Sequence, residues 1–219
     1  MNFFDTLSNL ELEPFVLSFK LAFATTLILF IIALPLAWWL SQTKSKAKAI
    51  LDKLSNKTKT YTSMKAEFEY IMKNESEDIE ENQTGSISTK GEKYHLEIAG
   101  QKIISDGKTV WTVLDEAEEV QVNNVPDEDE SEDFISPTKI LTLWEKGFKY
   151  KYANSTTLSG AAVDVINLYP EGADDKSFHT IKLYVNQEKL VVDQIDIKGK
   201  DGTDFIYKIT SFKTNESID

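Results

Sequence analysis

The sequence predicts a mainly β fold: one long antiparallel sheet that curls on itself, with helices over its open side, preceded by a single N-terminal membrane helix. Three observations predict it. Between residues 64 and 212, about ten or eleven short segments carry strand patterns with turn residues between them. No β-α-β alternation interrupts those segments, which argues against a parallel sheet. Ahead of them, residues 21–40 (LAFATTLILFIIALPLAWWL) form an uncharged, mostly apolar run of 20 residues, the length that crosses a bilayer at 1.5 Å per residue.

The apolar run comes first. Trp38 and Trp39 stand where an interfacial aromatic belt would lie, and Pro35 is tolerable near the end of a membrane helix. A cleavable secretory signal would begin with a short basic region, hold a shorter apolar core and end in small side chains. Here three acids precede Lys20 and the run closes on Trp-Trp-Leu, so retention as a helix is the expectation. Lys44, Lys46, Lys48, Lys53, Lys57 and Lys59 follow the run, and the positive-inside rule would then leave residues 44–219 in the cytoplasm. Two domains are expected: a hydrophobic, transmembrane segment over 1–43 and a folded domain over 44–219. The stretch from residue 14 to 48, PFVLSFKLAFATTLILFIIALPLAWWLSQTKSKAK, resembles the first transmembrane segment of a molybdate ABC transporter permease. The further spans that such a permease requires do not follow in this chain.

Next, residues 46–60 place Ala47, Ile50, Leu51 and Leu54 on one face of a short amphipathic helix. The period then changes to two: Met64, Ala66, Phe68, Tyr70 and Met72 alternate with charged residues, as a half-buried antiparallel strand does. Further strands are expected at 82–90, 94–98, 102–104, 109–114 and 119–122, with Gly91, Gly100 and the pair Asp106-Gly107 at the reversals. In 136–148, SPTKILTLWEKGF, Ser136 is a natural N-cap, Pro137 suits a first turn and Gly147 a stop, which predicts a helix. Strands resume at 148–153, 161–169, 178–186, 190–198 and 203–212, with Asp201-Gly202 as a second hairpin turn. A closed sheet of this many strands is too wide for side chains alone to fill, so an internal cavity is expected.

Composition narrows the function. The formal net charge is -12, and residues 44–219 hold 23 Lys against 33 acids, a poor surface for nucleic-acid phosphates. No Arg is present to grip phosphate or carboxylate bidentately, and with no Cys there is no disulfide framework and no thiolate site. DEDESED (127–133) lacks the Gly and Glu spacing of a calcium-binding loop, with Glu132 and Thr138 at those positions, and reads as a solvated loop. His95 and His179 lie on separate strands and read as surface or core residues. No nucleophile elbow, zinc-protease motif or phosphate-cradling glycine loop occurs, so neither catalytic residues, nor a cofactor, nor a metal is expected.

The pieces AKAILDKLS, SMKAEFEY, IISDGKTVWTVL (103–114), SPTKILTLWEKGFKYKY and the closing strands with their DG turns come in an order and spacing similar to those of the periplasmic outer-membrane lipoprotein carriers, the LolA family, over residues 47–213. ISDGKTVW is the most specific of them. The resemblance implies a half-open antiparallel β-barrel with a helical lid, a carrier without enzymatic activity that ferries acylated lipoproteins through the periplasm. It also implies an inner-membrane lipoprotein-releasing ABC transporter as donor and an outer-membrane acceptor. Physical chemistry supplies the reason for enclosure, since an acyl chain of roughly 14 methylenes costs about 11 kcal/mol to leave in water. The candidate cavity wall is Phe68, Tyr70, Tyr94, Leu96, Ile98, Trp111, Val113, Phe205, Tyr207 and Ile209, and the candidate lid is Ile140, Leu143, Trp144 and Phe148. Where family members place a latch residue, Lys93 stands. Two other readings remain open: a membrane-anchored envelope protein that binds lipid or another apolar ligand, and a permease start joined to a carrier across the shared Ala47-Lys48-Ala49.

Overall fold

The computed structural model describes residues 13–125, 142–172 and 176–217. The chain divides into two compact units, Met1–Thr43 and Lys44–Asp219. Helix α1 (Glu13–Thr58) is one element, with Pro35 inside it. No glycine or proline occurs between residues 41 and 58 to end it, so the apolar run and the amphipathic stretch, read from sequence as separate helices, are parts of a single one. In the first unit, Val16–Trp38 has a mean hydropathy of 2.3, is long and apolar enough to cross a membrane, and is exposed along its whole length.

In the second unit the eleven strands form one open antiparallel sheet. They are β1 (Met64–Asn74), β2 (Ile79–Lys90), β3 (Lys93–Ile98), β4 (Gln101–Ser105), β5 (Thr109–Leu114), β6 (Glu119–Asn124), β7 (Phe148–Leu158), β8 (Ala161–Pro170), β9 (Phe178–Asn186), β10 (Val192–Gly199) and β11 (Thr203–Thr214). Their spatial order is β6-β5-β4-β3-β2-β1-β11-β10-β9-β8-β7. Two hairpin ladders meet where β1 pairs with β11, so the first and last strands stand side by side at the centre of the sheet. The turn chemistry follows the sequence: the Asp106 carboxylate accepts from the Lys108 and Thr109 amides at 2.8 Å each, and Gly107 sits at φ 93°.

Register decides which residues share a face. Ala66 pairs with Ile87 on one side and Phe212 on the other, and Ile87 continues through Leu96 to Ile103. On the far half, Tyr207 continues through Ile195 and Leu183 to Ile166. This face holds the core, in which Ala47, Leu51 and Leu54 of α1 pack with Ile166, Leu168, Ile181 and Leu183.

The helix predicted over 136–148 is corrected where it can be seen. Leu143–Glu145 is a single 3₁₀ turn, and Phe148 already opens β7. Two interactions explain this: Trp144 Nε1 donates to Ser55 Oγ at 2.8 Å in the buried interior, and Phe148 stacks on Phe178 of β9 at 6.4 Å. The acidic stretch 127–133 and Ile140 lie outside the described residues.

Candidate functional site

Between the last turns of α1 and the curled sheet lies a cavity of about 290 Å³. Leu54, Thr58 and Tyr61 form its roof; Met64, Ala66 and Phe68 of β1, Ile87 of β2, Leu96 and Ile98 of β3, Ile195 and Ile197 of β10, and Tyr207, Ile209 and Phe212 of β11 form its floor and sides, closed by Val191 and Val192. No charged residue is among them, and Thr58, Tyr61 and Tyr207 alone bring side-chain oxygen. Burial holds the Tyr61 hydroxyl above its ordinary pKa and, with Tyr70 adjacent, pushes Tyr207 up to about 12. The wall is therefore neutral across the physiological range, and what it can do chemically is accept hydrocarbon. A polar depression shares Phe68 and Ile98 with it, but Glu67, Glu97, Lys102 and Asp115 line that second space and make it unfit for an apolar ligand.

Aromatic packing shapes the floor. Tyr207 contacts Phe68 at 5.9 Å and Tyr70 at 5.2 Å between ring centroids, and Tyr70 stacks on Phe205. Phe68 lies over Gly85 of β2, where a Cβ atom would stand 2.6 Å from Phe68 Cζ. The absence of a side chain at Gly85 is what lets the end of the ring reach over the neighbouring strand.

The wall residues expected from sequence separate into three groups. Phe68, Leu96, Ile98, Tyr207 and Ile209 line the cavity. Tyr70, Tyr94 and Phe205 share its face by register but are not lining residues: Tyr94 is buried between Thr89 and Ser105, and Tyr70 and Phe205 stand behind Tyr207. Trp111 and Val113 belong to the opposite face, because Leu96 pairs with Ile103 and Ile103 with Thr112. In TVWTVL all six residues are half-buried, so no alternation marks the inward face, and only the register identifies it. Missed from sequence were Met64 and Ala66, in phase with Phe68, and Ile195 and Ile197, whose spacing of two in QIDI was a legible signal. Tyr61 and Phe212, joined edge-to-face at 5.9 Å, had no sequence signal at all.

Of the lid residues, Leu143, Trp144 and Phe148 sit against the core under α1 and not among the cavity residues. The turn is fastened further by Lys59, whose ammonium lies 2.8 Å from Glu145 and holds that carboxyl below its ordinary range. Lys93 is exposed at the start of β3. His95 pairs with Glu97 at 3.3 Å and His179 Nδ1 lies 2.8 Å from the Thr180 hydroxyl. Among the described residues no three His, Cys, Asp or Glu side chains gather into a metal-binding group.

At the other end of the amphipathic stretch, Asp164 of β8 collects one oxygen's worth of donors: Ser155 at 2.8 Å, Tyr152 at 3.0 Å, Gln187 at 3.1 Å and Lys46 at 3.3 Å. Lys46 also lies over the Tyr152 ring at 3.9 Å. Burial works against the ionised carboxyl, but the hydrogen bonds from Ser155, Tyr152 and Lys46 outweigh it and keep Asp164 below its ordinary pKa.

An open antiparallel sheet curled around a neutral apolar cavity, roofed by a helix, defines a class of proteins built to enclose an apolar guest. The chain belongs to the family of the outer membrane lipoprotein carrier protein LolA, whose model matches residues 59–219. Among solved structures, an uncharacterized conserved protein from Thermus thermophilus aligns with TM-score 0.51 at 13% identity, covering 79% of this chain and 90% of that one, and has the same fold. A LolA superfamily protein from Nitrosomonas europaea aligns at 0.41 with 11% identity, over 78% and 94% of the two chains. The lipoprotein LppX of Mycobacterium tuberculosis aligns at 0.44 with 12% identity, over 78% and 98%. The comparison with curated proteins gives no match.

Proposed function

We propose that residues 44–219 are a carrier of acylated lipoproteins that acts without catalysis, in the periplasm, taking cargo from a lipoprotein-releasing ABC transporter of the inner membrane and handing it to an outer-membrane acceptor. The observation that carries this reading is the uncharged cavity of about 290 Å³ beneath Leu54, Thr58 and Tyr61. Family membership supports it, since the family is described by the carriage of outer-membrane lipoproteins. A wall of aliphatic and aromatic groups with few hydrogen-bonding atoms holds hydrocarbon without fixing its position, which suits a guest that must be released.

The test is binding of a fluorescent fatty acyl probe to the full chain. Ile197→Lys places an ammonium in the wall and is expected to abolish the cavity-bound component while the far-UV circular dichroism stays unchanged. Equal binding by this variant and the parent would overturn the reading.

For residues 1–43 we propose a membrane segment, favoured by the exposed apolar run Val16–Trp38. Retained, it makes the protein a membrane-anchored envelope lipid binder; removed, it frees a shuttle. The similarity of this segment to the start of a molybdate permease offers a third origin, a junction of two genes. N-terminal sequencing of the exported protein separates the first two, and sequence reads across codons 40–52 of the native locus test the third.

A further inference from the structure

The face of the sheet turned away from the cavity carries an apolar patch at its β6 end. Register puts Ile104, Trp111 and Val122 in one cross-strand row and Val113 beside Val120 in the next. Ile104 is 41% exposed, Val120 54% and Val122 60%, although nothing in the cavity needs them. Contiguous apolar surface of this kind on a sheet marks a contact site more often than a scattered exposed residue does. The patch runs to the margin of the sheet, for β6 is its terminal strand and among the described residues no strand pairs with its outer edge. Such edges are usually blunted by lysine, proline or a bulge. β6 reads EVQVNN, with none of the three, and all six residues are exposed.

We propose that this edge pairs antiparallel with the β6 edge of a second copy, about a dyad at Gln121. The strand is self-complementary in that register. Val120 meets Val122 of the second copy on the patch face, and Glu119 meets Asn123 on the other, so no acid opposes an acid. That matters in a chain of net charge -12, whose copies repel one another overall. Beside the patch, the Lys102 charge is already matched within the chain by Asp115 at 2.8 Å, and His95 lies 3.3 Å from Glu97. A dyad between antiparallel strands stands perpendicular to the sheet, so each face continues into the same face of the second copy. The two apolar patches then merge, and both cavities open on the same side. With one strand and five apolar side chains per copy, the contact is small and belongs with transient, concentration-dependent associations.

The chain has no cysteine, so single cysteines report on the contact directly. In the full-length protein, Gln121→Cys puts two thiols across the dyad at a separation that a disulfide spans. Under mild oxidation it is expected to give several-fold more covalent dimer than Thr156→Cys on β7. Adding Asn123→Glu sets acid against Glu119 of the second copy and should reduce the cross-link. Adding Glu119→Lys to that variant restores an opposite-charge pair and should recover it, a rescue that a folding defect would not show. Cross-linking of Gln121→Cys no greater than that of Thr156→Cys, as when another part of the chain or a different protein covers the edge, overturns the proposal. So does failure of the charge reversal to recover it.

Discussion

At Gly85 the missing side chain is a requirement of the cavity floor. A methyl group there would meet Phe68 Cζ at 2.6 Å and the Glu97 carbonyl oxygen at 2.8 Å, and the second of these is backbone that cannot swing away. Gly85→Ala is expected to lower stability by about 1–3 kcal/mol, read by urea unfolding, and to weaken acyl-probe binding as the Phe68 ring is displaced. Asp164 is a second residue with outsized effect. Removing its carboxylate by Asp164→Ala leaves the Tyr152 and Ser155 hydroxyls and the Lys46 ammonium without their shared acceptor, a loss of about 2 kcal/mol. Because the folded-state pKa is depressed, the stabilisation is fully present above the ordinary carboxylate value of 3.8 and fades as pH falls below it. Unfolding midpoints of the parent and Asp164→Ala should therefore converge in acid and stand apart at neutral pH.

At the scale of elements, the amphipathic end of α1 is held by contacts on one flank and at both extremities. Lys46 meets the Asp164 network, Leu51 and Leu54 are buried in the core, and Ser55 and Lys59 fasten the 3₁₀ turn through Trp144 and Glu145. Leu51→Ala should cost about 2–5 kcal/mol, because the rigid sheet face beneath cannot collapse into the space. Trp144→Phe keeps most of the ring volume and loses the bond to Ser55, for an expected cost of about 1 kcal/mol in the same unfolding measurement. The strand pattern of the sequence was legible here because turn residues with a physical role, Asp106-Gly107 and Asp201-Gly202, mark the reversals between β4 and β5 and between β10 and β11. The helix expected at 136–148 was not, since its caps describe a local preference that the packing of Trp144 and Phe148 overrides within the described residues.

At the scale of the whole molecule, one face of the sheet lines the cavity and the other carries Ile104, Trp111 and Val122. Trp111→Ser, on the face away from the cavity, is expected to leave acyl-probe affinity within twofold of the parent, whereas Ile197→Lys abolishes the cavity component; equal losses in both would mean that the probe reports general apolar surface. Sequence was enough to establish a run of about ten or eleven antiparallel strands, the amphipathic end of α1 and the apolar run ahead of it. Those features follow from period, turn chemistry and composition, which are local. It took the folded chain to show that Thr112 and not Trp111 aligns with Leu96, that Tyr61 and Phe212 meet over the cavity, and that Leu143, Trp144 and Phe148 pack into the core. Each of these depends on the register between strands distant in sequence or on a helix laid across them, and a one-residue slip in register would exchange every inward side chain for an outward one.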